Sequence, residues 1–320
     1  MNIKRLNTNS TSTGCLSINR KQHQMKNQTK AYLFGLITVL FWSTVASAFK
    51  LSLRYMDHIQ LLLYSCLVSL IVLGLIILIK GDFRVLFSYS RKQYIRSCVL
   101  GFLNPFLYYL ILFKAYDLLP AQEVQPLNYT WALTLTFLSI PLLKQKIAFK
   151  EILSGFVAYF GVLVIATHGS ISNMTFTDPF GVFLALSSTV IWALYWIYNK
   201  KSELDPIHNL FLNFLFGFPF IFFFCLMFSD IRIEFDYGLL GAVYVGIFEM
   251  GITFVCWLFA LKFSTNSAKV ANLIFISPFL SLIFIYFLVG EQILVSTFIG
   301  LVFIITGLLI QTIKMKDIFK

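Results

Sequence analysis

The sequence predicts an all-α polytopic membrane protein, with ten transmembrane helices arranged as two inverted five-helix repeats. Three observations carry this reading. The 320 residues are 58% hydrophobic, 18% aromatic and only 12% charged, with a mean hydropathy of +0.82, whereas a soluble domain carries about 25% charged residues. Ten apolar segments succeed one another along the chain, most of them close to the roughly 20 residues that a spanning helix requires. Landmark residues of the first half recur in the second at a nearly constant offset.

The chain opens with a tail, residues 1–30, that carries Lys4, Arg5, Arg20, Lys21, Lys26 and Lys30 with no acid, among Asn, Ser, Thr and Gln. This composition predicts disorder. With no apolar core in the tail, the first span itself is expected to act as the insertion signal. The first repeat, residues 31–168, holds the spans Ala31 to Leu53, Ile59 to Ile79, Cys98 to Leu118, Val124 to Leu143 and Ile152 to Ala166. The fifth is short, and it counts as spanning because the charge pattern on its two sides requires a crossing. The second repeat, residues 178–313, holds Phe180 to Tyr198, Leu210 to Phe228, Tyr237 to Leu261, Val270 to Val289 and Leu294 to Ile313, with a short tail, 314–320, after it.

Charge fixes the orientation. Of the 25 Lys and Arg residues, 21 fall on one side of this arrangement and only Lys50, Arg54, Lys114 and Arg232 on the other. The positive-inside rule then places both termini in the cytoplasm, and the expected location is a bacterial inner (plasma) membrane. The net charge of +11 is this rule summed over ten helices, so it calls for no nucleic-acid partner. Acidic residues lean outward: Asp57, Asp117, Glu123, Asp178, Asp230, Glu234, Asp236 and Glu291.

The repetition is specific. Trp42 and Lys50 stand opposite Trp192 and Lys200 at an offset of 150; Gly101, Asn104 and Ala115 stand opposite Gly246, Glu249 and Ala260 at 145; Gln145 and Ile147 stand opposite Glu291 and Ile293 at 146. Because five is odd, the second copy enters the membrane from the opposite side. Inverted repeats of this kind are characteristic of secondary transporters, whose site lies near the midplane between the repeats.

Glu249 is the leading site candidate, since a carboxyl at bilayer depth costs about 2.5 to 3.5 kcal/mol on insertion scales and normally faces a cavity or bundle interior. Its repeat mate Asn104 is expected to approach the same central space. Helical spacing places Glu249, Thr253 and Trp257 on one stripe of the eighth span, and Gly101, Asn104 and Tyr108 on one stripe of the third. Further polar stripes are Ser43, Ser47 and Lys50; Gln125, Asn128 and Ala132, with Tyr129 and Trp131 alongside; and Ser188, Trp192, Tyr195 and Asn199. Aromatic rings beside amides and hydroxyls suit an organic solute with a flat or apolar part and polar handles. The alternative for each such residue is helix glue or an interfacial anchor. Pro105 and Pro278 cannot donate to the carbonyls of Gly101 and Ile274, which marks them as candidate hinges or static kinks.

Enzyme signatures are missing. There is no HExxH, GxSxG or Walker loop, His58, His168 and His208 lie at helix ends, and the five cysteines have no metal-type spacing. No catalytic activity, cofactor or metal is expected, and without a nucleotide-binding module transport would draw on a gradient.

The segment from Gly35 to Trp42, the LNYTWAL run at Leu127 to Leu133 and the NLIFISPFLSLIFIYFLVGEQI run at Asn272 to Ile293 resemble the drug/metabolite transporter superfamily, EamA type. The resemblance extends over essentially everything after residue 30. It implies a central cavity lined by both repeats and the export or import of amino acids, other metabolites or drugs. LNYTWAL and FEMG resemble the branch that contains amino-acid exporters. Ala132 departs from the family pattern where proline is usual, and Lys144-Gln145 replaces the Gly-Glu kept as Gly290-Glu291.

The expected function is therefore alternating-access transport of a small organic metabolite, with efflux among its forms. Removal from water favours a neutral acid, which suits proton coupling through Glu249. The competing role is a substrate-binding carboxylate that pairs with an amino group. The expected partners are the solute and membrane lipid, and a homodimer is compatible with the sequence. A membrane sensor or lipid-handling protein on the same fold is the alternative.

Overall fold

Apolar composition and helix caps together set where each span starts and stops. The computed structural model describes residues 10–144, 149–172, 176–199, 201–232, 234–264 and 272–312. Among them are α1 (Ser10–Ser52), α2 (His58–Lys80), α3 (Arg91–Leu118), α4 (Ala121–Tyr129 and Trp131–Leu143) and α5 (Phe149–Ala166) of the first half. The second half supplies α6 (Pro179–Asn199), α7 (Pro206–Phe228), α8 (Tyr237–Phe263), α9 (Asn272–Ile276, Ser277–Phe284 and Ile285–Val289) and α10 (Val295–Thr312). Six of these, α1, α2, α3, α6, α7 and α8, carry stretches long and apolar enough to cross a membrane, while α5, α9 and α10 are shorter apolar helices. Gln145, Ile147, Lys200, Val270, Ile313 and the tail at 314–320 lie outside the described residues.

Five helix starts have a local chemical cause in a side-chain cap. Asp57 and Ser90 form capping boxes with Gln60 and Gln93 at the heads of α2 and α3, satisfying backbone N–H groups that a helix leaves unpaired. Asp178, Asp205 and Asp236 accept backbone N–H groups at the heads of α6, α7 and α8. Three of the acids expected on the outer side are thus N-caps as well as surface charges.

The structure differs from the uniform spans in several places. Helical backbone in α1 begins at Ser10, well before the apolar stretch, because a formed span extends more readily than a new helix nucleates. The expected third and eighth spans are interrupted by π-type turns, Phe102–Leu107 and Val245–Glu249. The fourth is divided at Thr130.

The packing repeats with the halves exchanged. In one direction α1 packs on α8 and α9; in the other, α6 packs on α3 and α4. Likewise α2 meets α8 as α7 meets α3, and the pairs α2–α7 and α5–α10 join corresponding helices. Gly101 and Gly246 sit at matching crossings. A methyl group at Gly101 would lie 2.2 Å from the Asn213 carbonyl oxygen on α7, and one at Gly246 would lie 2.6 Å from that of Ser65 on α2. Only glycine lets these backbones approach so closely.

Candidate functional site

A cavity with about 610 Å³ of unfilled space, part of it open to solvent, lies between the two halves. Both repeats build its wall. The first contributes Trp42 and Phe49 from α1, Tyr108 and Tyr116 from α3, and Gln125, Asn128, Tyr129 and Trp131 from α4; the second contributes Trp192 and Trp196 from α6, Glu249 and Trp257 from α8, and Ile274 from α9. Of the residues proposed from the sequence, Glu249, Tyr108, Asn128, Trp131, Trp192 and Trp257 are therefore on the wall.

Asn104, Tyr195 and Thr253 are not. Asn104 is fully buried and faces the Tyr195 hydroxyl, which accepts a hydrogen bond of 3.2 Å from Asn213. Asn213 and Asn209 also donate to Asn199, so this is a polar cluster among α3, α6 and α7 behind the wall. Tyr195 instead stacks its ring on Trp192, with centroids 5.8 Å apart. Thr253 donates its hydroxyl to the Phe248 carbonyl. Asn104 and Glu249 do not meet, contrary to the convergence expected from their matched positions. The reason lies in the backbone: Asn104 takes extended dihedrals, φ −148° and ψ 118°, and a π-type turn adds a residue that rotates the remainder of the helix by about 100°.

Glu249 is held from the opposite half. The Tyr109 hydroxyl donates to its Oε1 at 3.0 Å, while Oε2 has no hydrogen-bond partner among the described residues. Tyr108 stacks on Trp192 at 4.5 Å and donates to Asn128 Oδ1 at 3.4 Å, and Asn128 Nδ2 donates to Ser188 at 3.0 Å. The Tyr116 hydroxyl donates to Gln125. Trp42 and Trp257 lean together with centroids 5.7 Å apart. Sequence reasoning missed Tyr109, Tyr116 and Trp196, since nothing in helical spacing separates a wall tyrosine from one facing lipid. Trp42 stands out in the sequence as a landmark of the repeat, and only the fold makes it a wall residue.

Beyond the wall residues Phe49 and Tyr116, helix-end chemistry ties the repeats together. Glu291 accepts the N–H groups of Ala121 and Gln122 at 2.8 and 3.1 Å, capping α4 from the other repeat. A carboxylate at a helix N-terminus is favoured by the unpaired donors and the dipole there. Gln122 answers by donating to the Gln292 carbonyl and accepting from Leu294 N–H. Lys50 donates to the carbonyls of Tyr116 and Leu119 at 2.7 and 2.8 Å, at the end of α3, and Arg54 donates to that of Val289. Beside them Glu123, His168 and Thr177 hydrogen-bond to one another. Pro105 sits within the α3 break; Pro278 occupies the first turn of the Ser277–Phe284 segment.

The model of the EamA-like transporter family matches residues 29–167 and again 179–313. The chain belongs to this family. The double match falls on the two halves whose contacts exchange. Among similar chains, an uncharacterized transporter of Clostridium kluyveri is 28% identical over 88% of this chain and 93% of its own length. Another uncharacterized transporter, from Archaeoglobus fulgidus, is 24% identical over 89% and 98%. The uncharacterized transporter YvbV of Bacillus subtilis is 24% identical over 90% and 93%. A solved crystal structure shares the fold, with a TM-score of 0.64 at 19% identity over 89% of this chain and 96% of that one. The protein is thus an integral membrane transporter of the EamA-like family.

Proposed function

We propose that this transporter moves a small organic metabolite, an amino acid, a related compound or a drug, by alternating access around the central cavity, with Glu249 as the group that couples movement to a proton gradient. The observation that carries the reading is that the cavity wall is shared between two halves whose contacts exchange, while bonds between the repeats, Glu291 to α4 and Arg54 to Val289, join the helix ends beyond the wall, which we read as its sealed end. An exchange of those contacts would seal the other end and open this one. Export and import are both compatible with this cycle.

Profiling the metabolites of cells with and without the protein supplies candidate solutes for proteoliposomes. Glu249→Gln then separates coupling from binding. A coupling residue loses gradient-driven accumulation yet retains exchange between the two sides at saturating solute; a residue on which binding alone depends loses both. Wild-type transport with an unchanged response to pH would remove Glu249 from the mechanism. For the orientation in a bacterial inner membrane, reporters at residue 1 and after Lys320 are expected in the cytoplasm and one near Ser172 outside; a cytoplasmic signal at Ser172 contradicts the inverted repeat.

A further inference from the structure

All five tryptophans of the chain, Trp42, Trp131, Trp192, Trp196 and Trp257 among 320 residues, line the one cavity that also holds Glu249. Membrane proteins usually place tryptophan in belts at the two water interfaces. Here the side chains are withdrawn into the wall, with Trp42, Trp192 and Trp257 each at least nine-tenths buried. The indole face is the strongest π surface a protein offers to a cation.

The charges in the cavity agree with that. Among the described residues its wall carries one ionisable acid, Glu249, and no Lys, Arg or His. Lys50, the nearest base along α1, is committed to two backbone carbonyls at the sealed end. Glu249 itself is only 8% exposed; Tyr109 occupies Oε1 and leaves Oε2, a buried acceptor with no protein donor. The Trp42 and Trp196 indole N–H groups are buried without an acceptor among the described residues, so an uncharged oxygen on the solute could be met as well. A solute carboxylate would find no cation to neutralise it, and would face both the negative ring faces and the Glu249 carboxyl.

We infer that the cavity selects organic cations: solutes with a protonated amine or quaternary ammonium group on a flat apolar body, the cation held between Glu249 and the tryptophan-lined wall. This rests on the transport reading and narrows its solute class, setting free amino acids and other carboxylates behind amines.

Because every tryptophan lies on the wall, intrinsic fluorescence reports binding directly. The purified full chain in detergent is titrated with four probes of one shape: phenethylamine, phenylalanine, 3-phenylpropionate and 2-phenylethanol. Phenethylamine is expected to bind about tenfold or more tighter than the zwitterion and the anion, and Glu249→Gln is expected to weaken it about tenfold while 2-phenylethanol binds as before. Trp257→Leu gives a second reading, with phenethylamine weakened more than 2-phenylethanol. Equal or better binding of 3-phenylpropionate or phenylalanine overturns the inference, as does a failure of phenethylamine to perturb the fluorescence or unchanged amine affinity in Glu249→Gln. Flux of labelled phenyltrimethylammonium into proteoliposomes separates the two readings. Selective binding without flux sinks transport and leaves the cation site; flux of another solute without amine selectivity sinks the cation site and leaves transport.

Discussion

α3 and α8 are counterparts in the two repeats, and each breaks near its middle, yet the breaks serve opposite ends. In α3 the backbone turns extended at Asn104, before Pro105, and the polar side chain is delivered to a closed cluster with Tyr195 and Asn213. In α8 there is no proline. The turn ends at Gly251, with φ −108° and ψ −95°, and Glu249 is delivered to the cavity. Repetition preserved the helix crossings at Gly101 and Gly246 while the chemistry of the matched polar pair diverged. Symmetry of a backbone therefore does not entail symmetry of a site.

Exchanging the polar residues should break this comparison most sharply. Glu249→Gln is expected to abolish gradient-driven accumulation without lowering the unfolding temperature in detergent. Asn104→Ala should do the reverse, lowering stability by about 1 to 3 kcal/mol through the cavity left where a fully buried side chain is cut back, while solute affinity holds. A transport defect in Asn104→Ala at unchanged stability would return Asn104 to the site.

The crossings come next. Gly101→Ala and Gly246→Ala are each expected to destabilise by about 1 to 3 kcal/mol, because backbone on the partner helix cannot yield to a new methyl group. Thermal unfolding of both variants checks this, and a large loss in only one would mean that the two crossings are not equivalent.

Prolines sharpen the contrast further. Pro105→Ala should slow turnover, since an N–H restored inside the α3 break stiffens an element that must bend. Pro278→Ala should matter less, because Pro278 stands in a first turn that proline fits without a break. Flux measured at saturating solute distinguishes them, and equal slowing would assign both prolines to the hinge.

The smallest effect is expected at the helix C-caps. Gly290 ends α9 with φ +81°, and Lys144, its counterpart in the first repeat, ends α4 with φ +53°. The left-handed conformation favours glycine, so Lys144→Gly should raise stability by about 0.5 to 1 kcal/mol, read as a higher unfolding temperature. No change would mean that the side chain of Lys144 compensates for the backbone.

These contrasts mark how far the sequence could be read. Hydropathy located the spans to within a few residues for most helices, because burial in lipid leaves little choice of composition. Glu249 was legible because an acid at bilayer depth is too costly to stand anywhere except beside a cavity or within the bundle. Asn104 and Thr253 were misplaced because helical spacing assumes an unbroken helix, and each of their helices gains a residue at its break. Tyr109 escaped notice because it stands beside Tyr108, and only the rotation after the break decides which ring reaches Glu249 and which stacks on Trp192. The departure at Lys144 was visible, though its cost appears only once the left-handed cap is seen.

Lys50 carries a consequence of another kind. Its ammonium is a fixed positive charge at the sealed end, tied to carbonyls of α3 by two short bonds. If opening this end draws α1 away from α3, that charge is displaced along the membrane normal, and the electrical potential does work on it. A full crossing is worth about 2.3 kcal/mol per 100 mV, and a tenth of the crossing about 0.2 kcal/mol. The opening step is then voltage-dependent even for an uncharged solute, and membrane voltage biases how often this end stands open.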